Sequence, residues 1–177
     1  MSLVVKSLAQ FNENYENPNK EQLAIIGDMM RSISVVKYFP EFQTLEEIAR
    51  DFNQFWVTSA EMLTDDIYIG AENFNGIFVL KRNPGAASEE VRCRLDVIGM
   101  FNLGEMVNKF MKGSLVSGTK SPSPSDQVST LNVSFTPTTG SETLFGTVDG
   151  SLGSVIGLNP VTTTVLAALE RAMTKVV

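Results

Sequence analysis

Three stretches of the sequence repeat one pattern, and this repeat restricts the possible folds more than any other feature. The stretches are IIGDMMRSISVVKY (25–38), YIGAENFNGIFVLKR (68–82) and LFGTVDGSLGSVIGL (144–158). Each consists of an apolar run that ends in glycine, a polar turn and a second apolar run, which is the pattern of a β-hairpin. Short apolar runs on either side of the hairpins predict about four antiparallel strands in each unit.

Recurring four-stranded antiparallel units are typical of β-propeller blades, which must stack because one blade cannot cover its own apolar faces. We therefore predict an all-β fold, namely a partial β-propeller of about three four-stranded antiparallel blades followed by a C-terminal helix. The blades are expected roughly over residues 1–52, 53–102 and 103–158. Residues 10–22 are rich in Asn and residues 113–130 in Ser, Thr, Pro and Gly, so we expect both segments to be mobile insertions.

Some strand predictions are less direct than the hairpins. Apolar residues of Leu45–Phe52 have helical spacing, but the segment stands where the first unit lacks its fourth strand, so we expect a strand. Arg82–Glu90 is predicted to be a loop, and Arg92–Phe101 the strand that follows it. Leu131–Phe135 has the composition of a short strand or belongs to the second insertion.

The last segment, 159–177, is predicted to be an amphipathic helix that begins a further helical region. Asn159 suits the N-cap position and Pro160 the first helical position. Three blades cannot close a propeller, so we expect this chain to be a piece of a larger propeller protein or a shortened gene product. One face of the helix is apolar and consists of Val165, Leu166, Leu169, Met173 and Val176.

Composition excludes several classes of function. The sequence contains no His, which removes His-based acid–base catalysis, His-activated nucleophiles and His metal ligands. Its single cysteine, Cys93, is expected to be buried in a strand and inert. A net charge of −6 disfavours nonspecific nucleic-acid binding, and no apolar run is long enough to cross a membrane. We therefore predict a protein without enzymatic activity, cofactor or metal.

Several motifs together carry a resemblance to a known family. In chain order the sequence resembles the C-terminal part of the third propeller in the DNA damage-binding protein 1 family, the large adaptor subunits of cullin-4 ubiquitin ligases. The resemblance covers most of the chain. Its residues are GDMMRS (27–32), EEIARDFN (46–53), Trp56, GAEN (70–73), NLGEMVN (102–108), GSLV (113–116) and LFGTVDG (144–150).

The resemblance implies a function in assembly. In that family two propellers form a cleft that receives helical or loop motifs of substrate-receptor proteins, and another propeller, absent from this chain, binds the cullin. It also implies a location in nucleus and cytoplasm and a link to DNA repair and protein degradation. The receptor-facing residues carried over by motif position are Met29, Arg31, Arg50, Trp56, Met106, Asn108 and Val148. Leu3 and Val4 join this set by a weaker match.

Other interpretations stand beside this one. Met106 occupies a position where the family commonly has Phe, and Lys109 one where an apolar residue is usual. Judged without the family, Trp56 is a core residue, and Arg31 and Arg50 are solvated charges or partners of nearby acids. The alternative function is a scaffold subunit of a splicing or mRNA 3′-end processing complex with the same propeller fold. A shortened chain would also be compatible with loss of the family's function.

Overall fold

The computed structural model describes residues 7–8, 22–113, 142–158 and 160–174. These residues form mostly β-structure, with two helices. In chain order the elements are β1 (Ser7–Leu8), β2 (Gln22–Asp28), β3 (Ser32–Phe39), β4 (Thr44–Arg50), β5 (Val57–Met62), β6 (Ile67–Glu72), β7 (Gly76–Arg82), α1 (Glu89–Arg92), β8 (Leu95–Asn102), β9 (Val107–Lys112), β10 (Glu142–Thr147), β11 (Leu152–Ile156) and α2 (Pro160–Thr174).

The first sheet contains β1, β2, β3 and β4 in that order, with antiparallel neighbours. Its β2–β3 hairpin follows the first repeated stretch, and Ile25 stands opposite Val35 in the register. The alternating residues Leu23, Ile25, Ile33 and Val35 are fully buried, as period-two patterning requires for one covered face. The prediction of a strand at Leu45–Phe52 is confirmed, because β4 occupies most of that segment.

The second sheet contains β5, β6, β7 and β8 in that order, again antiparallel. It packs against the first sheet through one cluster of buried apolar residues from both. Gly70 lies at the contact: a Cβ there would stand 2.3 Å from Phe78 Cζ and 3.0 Å from Ile33 Cδ1. Phe78 also stacks on Phe55 with ring centroids 4.5 Å apart. Glycine at position 70 therefore lets an aromatic ring fill the space between the sheets.

The third sheet contains β11, β10 and β9 in that order. Phe110 is buried and meets Phe145 edge to face, with centroids 6.3 Å apart. Gly153 also lies against the ring of Phe145, where a Cβ would not fit. Leu131–Phe135, predicted as a short strand or part of the second insertion, lies outside the described residues.

The chain divides into two compact units, residues 1–111 with 145–153 and residues 112–144 with 154–177. The first unit contains the two four-stranded sheets and their shared core. In the second unit α2 begins at Pro160, as predicted, while Asn159 and Val176 lie outside the described residues. Several apolar side chains of α2, including Val165, Leu169 and Met173, are exposed.

The predicted fold class is confirmed: the chain is mostly β, and its antiparallel sheets of three or four strands are consistent with partial propeller blades. Details of the loop after β7 differ from the prediction. Residues Glu89–Arg92 form a short helix, so β8 begins at Leu95 and not at Arg92. Cys93 follows this helix and is exposed, so the prediction of a buried cysteine in a strand was wrong. The blade limits and the mobile insertions remain predictions.

Candidate protein-binding surface

Two of the predicted contact residues lie in the turn between β2 and β3. Met29 is half-buried and Arg31 is exposed. The backbone N–H of Met30 donates to Asp28 Oδ1 over 2.7 Å, a local bond that closes the turn. Within the residues that the structure describes, Arg31 has no ion-pair partner.

The end of β4, which carries Arg50, is joined to this turn by a buried hydrogen bond. Ser32 Oγ donates to Asp51 Oδ2 over 2.6 Å, and both residues are buried. Arg50 pairs with Ser34 in the register of β3 and β4. Its Nη2 lies 2.7 Å from Glu47 Oε2, so the interpretation of Arg50 as an ion-pair residue is correct for one of its nitrogens.

Trp56 lies just before β5 and next to the same turn. A Cβ on Gly27 would stand 2.9 Å from Val57 Cγ1, so the end of β2 closely approaches the start of β5. The carbonyl of Trp56 accepts a 3.0 Å bond from the Asn73 N–H, which fixes the backbone. The Trp56 side chain is 41% exposed and is therefore not a core residue.

A side-chain hydrogen bond joins β5 to β9. Thr58 Oγ1 donates to the carbonyl of Val107 over 2.7 Å. The two residues on either side of Val107 are Met106, which is half-buried, and Asn108, which is exposed. This bond therefore brings the start of β9, with Met106 just before it and Asn108 within it, close to the start of β5, which follows Trp56.

The turn after β10 completes the arrangement. The N–H of Val148 donates to the carbonyl of Met106 over 2.9 Å, and the Val148 side chain is 57% exposed. Thr147 Oγ1 donates to Glu105 Oε2 over 2.7 Å and also accepts the Ser151 N–H at 2.9 Å. Two hydrogen bonds lower the pKa of Glu105: the one from Thr147 has the larger effect, and the one from Ser151 the smaller. The hydrogen bond from Thr147 to Glu105 thus links the turn after β10 to the residues just before β9.

The structure therefore places the predicted contact residues along one connected set of loops and strand ends, which we call the partner row. Among its exposed members, Trp56 and Val148 are apolar, whereas Arg31 and Asn108 carry hydrogen-bond donors. Such a mixture of aromatic, aliphatic and arginine side chains is the usual composition of an interface hot spot. Leu3 and Val4 lie outside the described residues. The members of the partner row are Met29, Arg31, Arg50, Trp56, Met106, Asn108 and Val148.

Neither a metal centre nor a membrane span is found in the part of the chain that the structure describes. Over residues 22–113, 142–158 and 160–174, no three His, Cys, Asp or Glu side chains come close enough together to hold a metal ion. Neither described helix has the length and apolar character needed to cross a lipid bilayer.

Comparison with known proteins agrees with this architecture. A family model described as the CPSF A subunit region matches residues 2–177. The chain belongs to this family. DNA damage-binding protein 1 of Oryza sativa subsp. japonica is 41% identical over 134 residues, which are 76% of this chain and 11% of that protein. DNA damage-binding protein 1a of Arabidopsis thaliana is 39% identical over 153 residues, which are 86% of this chain and 13% of that protein.

These relatives confirm the resemblance to DNA damage-binding protein 1 that the motifs suggested. The chain spans only 11–13% of the length of the curated relatives it matches. The family motifs identify the members of the partner row but not the polar residues whose hydrogen bonds join its parts. Those residues are Ser32, Asp51, Thr58, Glu105 and Thr147. A signal for the first pair was present, because Ser32 follows Arg31 and Asp51 follows Arg50 in the quoted motifs.

Proposed function

We propose that this chain is part of a non-enzymatic adaptor that docks substrate receptors to a cullin-4 RING ubiquitin ligase, in DNA repair and protein degradation. The observation that supports the proposal is the partner row, in which connected loops and strand ends of all three sheets carry exposed apolar and cationic side chains. Relatives at 38–41% identity are named DNA damage-binding protein 1, which supports the same conclusion.

The chemistry of the row suits a helical or loop motif. Trp56 and Val148 offer apolar area that a partner's hydrophobic side chains would cover. Arg31 carries several N–H donors, and the last carbonyls of a helix are acceptors without partners of their own. A receptor helix that ends above Arg31 would therefore gain hydrogen bonds there as well as apolar contact.

Binding of the cullin is assigned to parts of a longer protein. The relatives are several times longer than this chain. We assign to this chain only part of one wall of the receptor-binding cleft. The same proposal places the protein in nucleus and cytoplasm, which microscopy of the tagged endogenous protein tests.

A second candidate is a scaffold subunit of a splicing or mRNA 3′-end processing complex. The observation that favours it is the matching family model, which is described by the CPSF A subunit and not by a DNA damage-binding protein. The two candidates share a fold and differ in their partners, so sequence similarity at this level supports both.

Isolation of the endogenous protein under native conditions separates the candidates. We expect a protein much longer than 177 residues, together with a cullin and several receptor proteins. Splicing or polyadenylation proteins without a cullin would support the second candidate and contradict the first. A protein that carries neither group would contradict both.

A further inference from the structure

A pocket of about 660 Å³ lies beside the end of β4, outside the partner row. Its walls are backbone segments that are bonded to one another. The N–H of Arg50 donates to the carbonyl of Cys93 over 2.9 Å, and Arg50 and Arg94 form a parallel bridge. One wall consists of Asp51, Phe52 and Asn53, and the other of Glu89, Glu90 and Cys93. The volume is within the range of about 300–1,000 Å³ that is typical of ligand pockets.

The first wall of the pocket presents an exposed aromatic ring next to a buried carboxylate. Asp51 is buried, and its Oδ1 accepts the backbone N–H of Asn53 at 3.1 Å and Asn53 Nδ2 at 2.7 Å. Phe52, between these two residues, is 71% exposed. The ring therefore offers an apolar surface on one side of the pocket.

The charge of the pocket is negative. Arg94 Nε lies 3.1 Å from Asp96 Oδ1, so the cation that lines the pocket already has an anionic partner. Glu89 and Glu90 are exposed, and neither has an ion-pair partner among the residues that the structure describes. Asp51 is bonded to neutral donors and adds a further negative charge. The ligand that complements an aromatic face next to carboxylates is an organic cation.

We propose that this pocket binds an arginine side chain presented by an extended segment of a partner protein. The guanidinium plane stacks on Phe52, and its N–H groups reach the carboxylates of Glu89 and Glu90. Arginine is preferred to lysine because a planar, weakly hydrated cation can stack and donate at the same time. The proposal does not depend on the adaptor function, because it rests on the pocket alone.

Cys93 provides a reporter at the site, because its exposed thiol lines the pocket. The rate at which iodoacetamide alkylates Cys93 in the full-length protein is measured by mass spectrometry of the peptide that contains it. The probes are acetyl-Gly-Gly-Arg-Gly-Gly-amide and the same peptide with citrulline, a neutral residue of the same shape, or with lysine. We expect the arginine peptide to slow alkylation severalfold, with a half-maximal concentration on the order of 1 mM. Salt at 1 M weakens this protection by screening.

Substitutions of pocket residues test whether the peptide protects Cys93 by binding in the pocket. Replacing both acids, Glu89→Gln with Glu90→Gln, is expected to abolish protection, and Phe52→Leu to weaken it several-fold. Glu46→Gln, which removes an exposed acid of β4 outside the pocket, is the matched control and should leave protection unchanged. Each variant is compared with and without peptide, so a change in the thiol's own reactivity cancels. Equal protection by the citrulline or lysine peptide, or no protection by the arginine peptide, would overturn the proposal.

Discussion

Ser32 and Asp51 are joined by a hydrogen bond of 2.6 Å between Ser32 Oγ and Asp51 Oδ2, although each residue is at most 1% exposed. Ser32 also has a φ of 61°, a left-handed conformation that is uncommon for residues other than glycine. The bond lies between two arginines of the partner row, since Arg31 precedes Ser32 and Arg50 precedes Asp51. An uncommon backbone conformation and a buried carboxylate thus lie at the base of the partner row, and strained backbone of this kind is concentrated at functional sites in other proteins.

Two substitutions separate the stability effect of the Ser32 hydrogen bond from that of the Ser32 backbone conformation. Ser32→Ala removes the donor, leaves Asp51 with fewer partners and keeps a side chain at positive φ, so we expect a loss of about 1–3 kcal/mol in local stability. Ser32→Gly removes the same donor but relieves the left-handed conformation, so it should be milder by about 1 kcal/mol. Hydrogen exchange of the β2–β3 hairpin in the full-length protein measures both. Equal losses would show that the backbone conformation of Ser32 is not strained.

The contact between the first two sheets depends on the absence of a side chain at position 70. Gly70→Ala brings a Cβ within 2.3 Å of the Phe78 ring, and we expect about 1–3 kcal/mol of destabilisation from overpacking. Gly99→Ala is the matched control, because nothing lies within 4 Å of its added Cβ. It should be neutral or stabilising by up to about 1 kcal/mol. Similar hydrogen exchange of β6 and β7 in wild type and Gly70→Ala would contradict the packing described here.

The bond from Thr58 to Val107 is expected to align two parts of the partner row. Thr58→Val keeps the shape and removes the donor, so protection of the β9 segment should fall by about 0.5–1.5 kcal/mol. Thr58→Ser retains the hydroxyl and serves as the control. Receptor affinity should fall in Thr58→Val as well, because Trp56 and Met106 are no longer held in the same relative position. An unchanged affinity would mean that the row tolerates movement between β5 and β9.

Glu105 should give the turn at Val148 a dependence on pH. Its pKa is lowered in the folded protein, so its contribution to stability is full above the usual glutamate value of 4.5 and is lost as pH falls through the lowered value. We expect protection of the Val148 N–H, corrected for intrinsic exchange, to fall over this acidic range. In Glu105→Gln the fall should be smaller, because the amide does not titrate. The same fall in both proteins would exclude Glu105 as the cause.

Much of the fold could be predicted because its signals are local. The hairpins around Gly27 and Gly70 show both the apolar alternation and the polar turn in consecutive residues. The helix Glu89–Arg92 was missed because four residues are too few to show helical periodicity. Cys93 was misplaced for the same reason, since its exposure follows from the position of that helix.

The site was less predictable, because its geometry depends on contacts distant in sequence. The motifs indicated Arg31, Arg50 and Trp56 only through resemblance to a family. No local pattern shows that Thr58 bonds to Val107, 49 residues away, or that Thr147 bonds to Glu105, 42 residues away. A hydroxyl in or at the end of a strand is compatible with many partners, and only the pairing of strands and the packing of sheets select one.

The central claim is that the partner row binds receptor proteins, and affinity tests it most directly. The measurement is the Kd between the full-length protein and a receptor that co-purifies with it, for the variant Arg31→Ala, Arg50→Ala and Trp56→Ala. The controls are Lys81→Ala and Phe42→Ala, which remove an exposed cation and an exposed aromatic ring outside the row.

We predict a loss of about 100-fold or more in the triple variant, because hot-spot residues each contribute on the order of 1–2 kcal/mol or more. Both controls should bind like the wild type. An affinity of the triple variant within about twofold of wild type, well below 1 kcal/mol, would contradict the account.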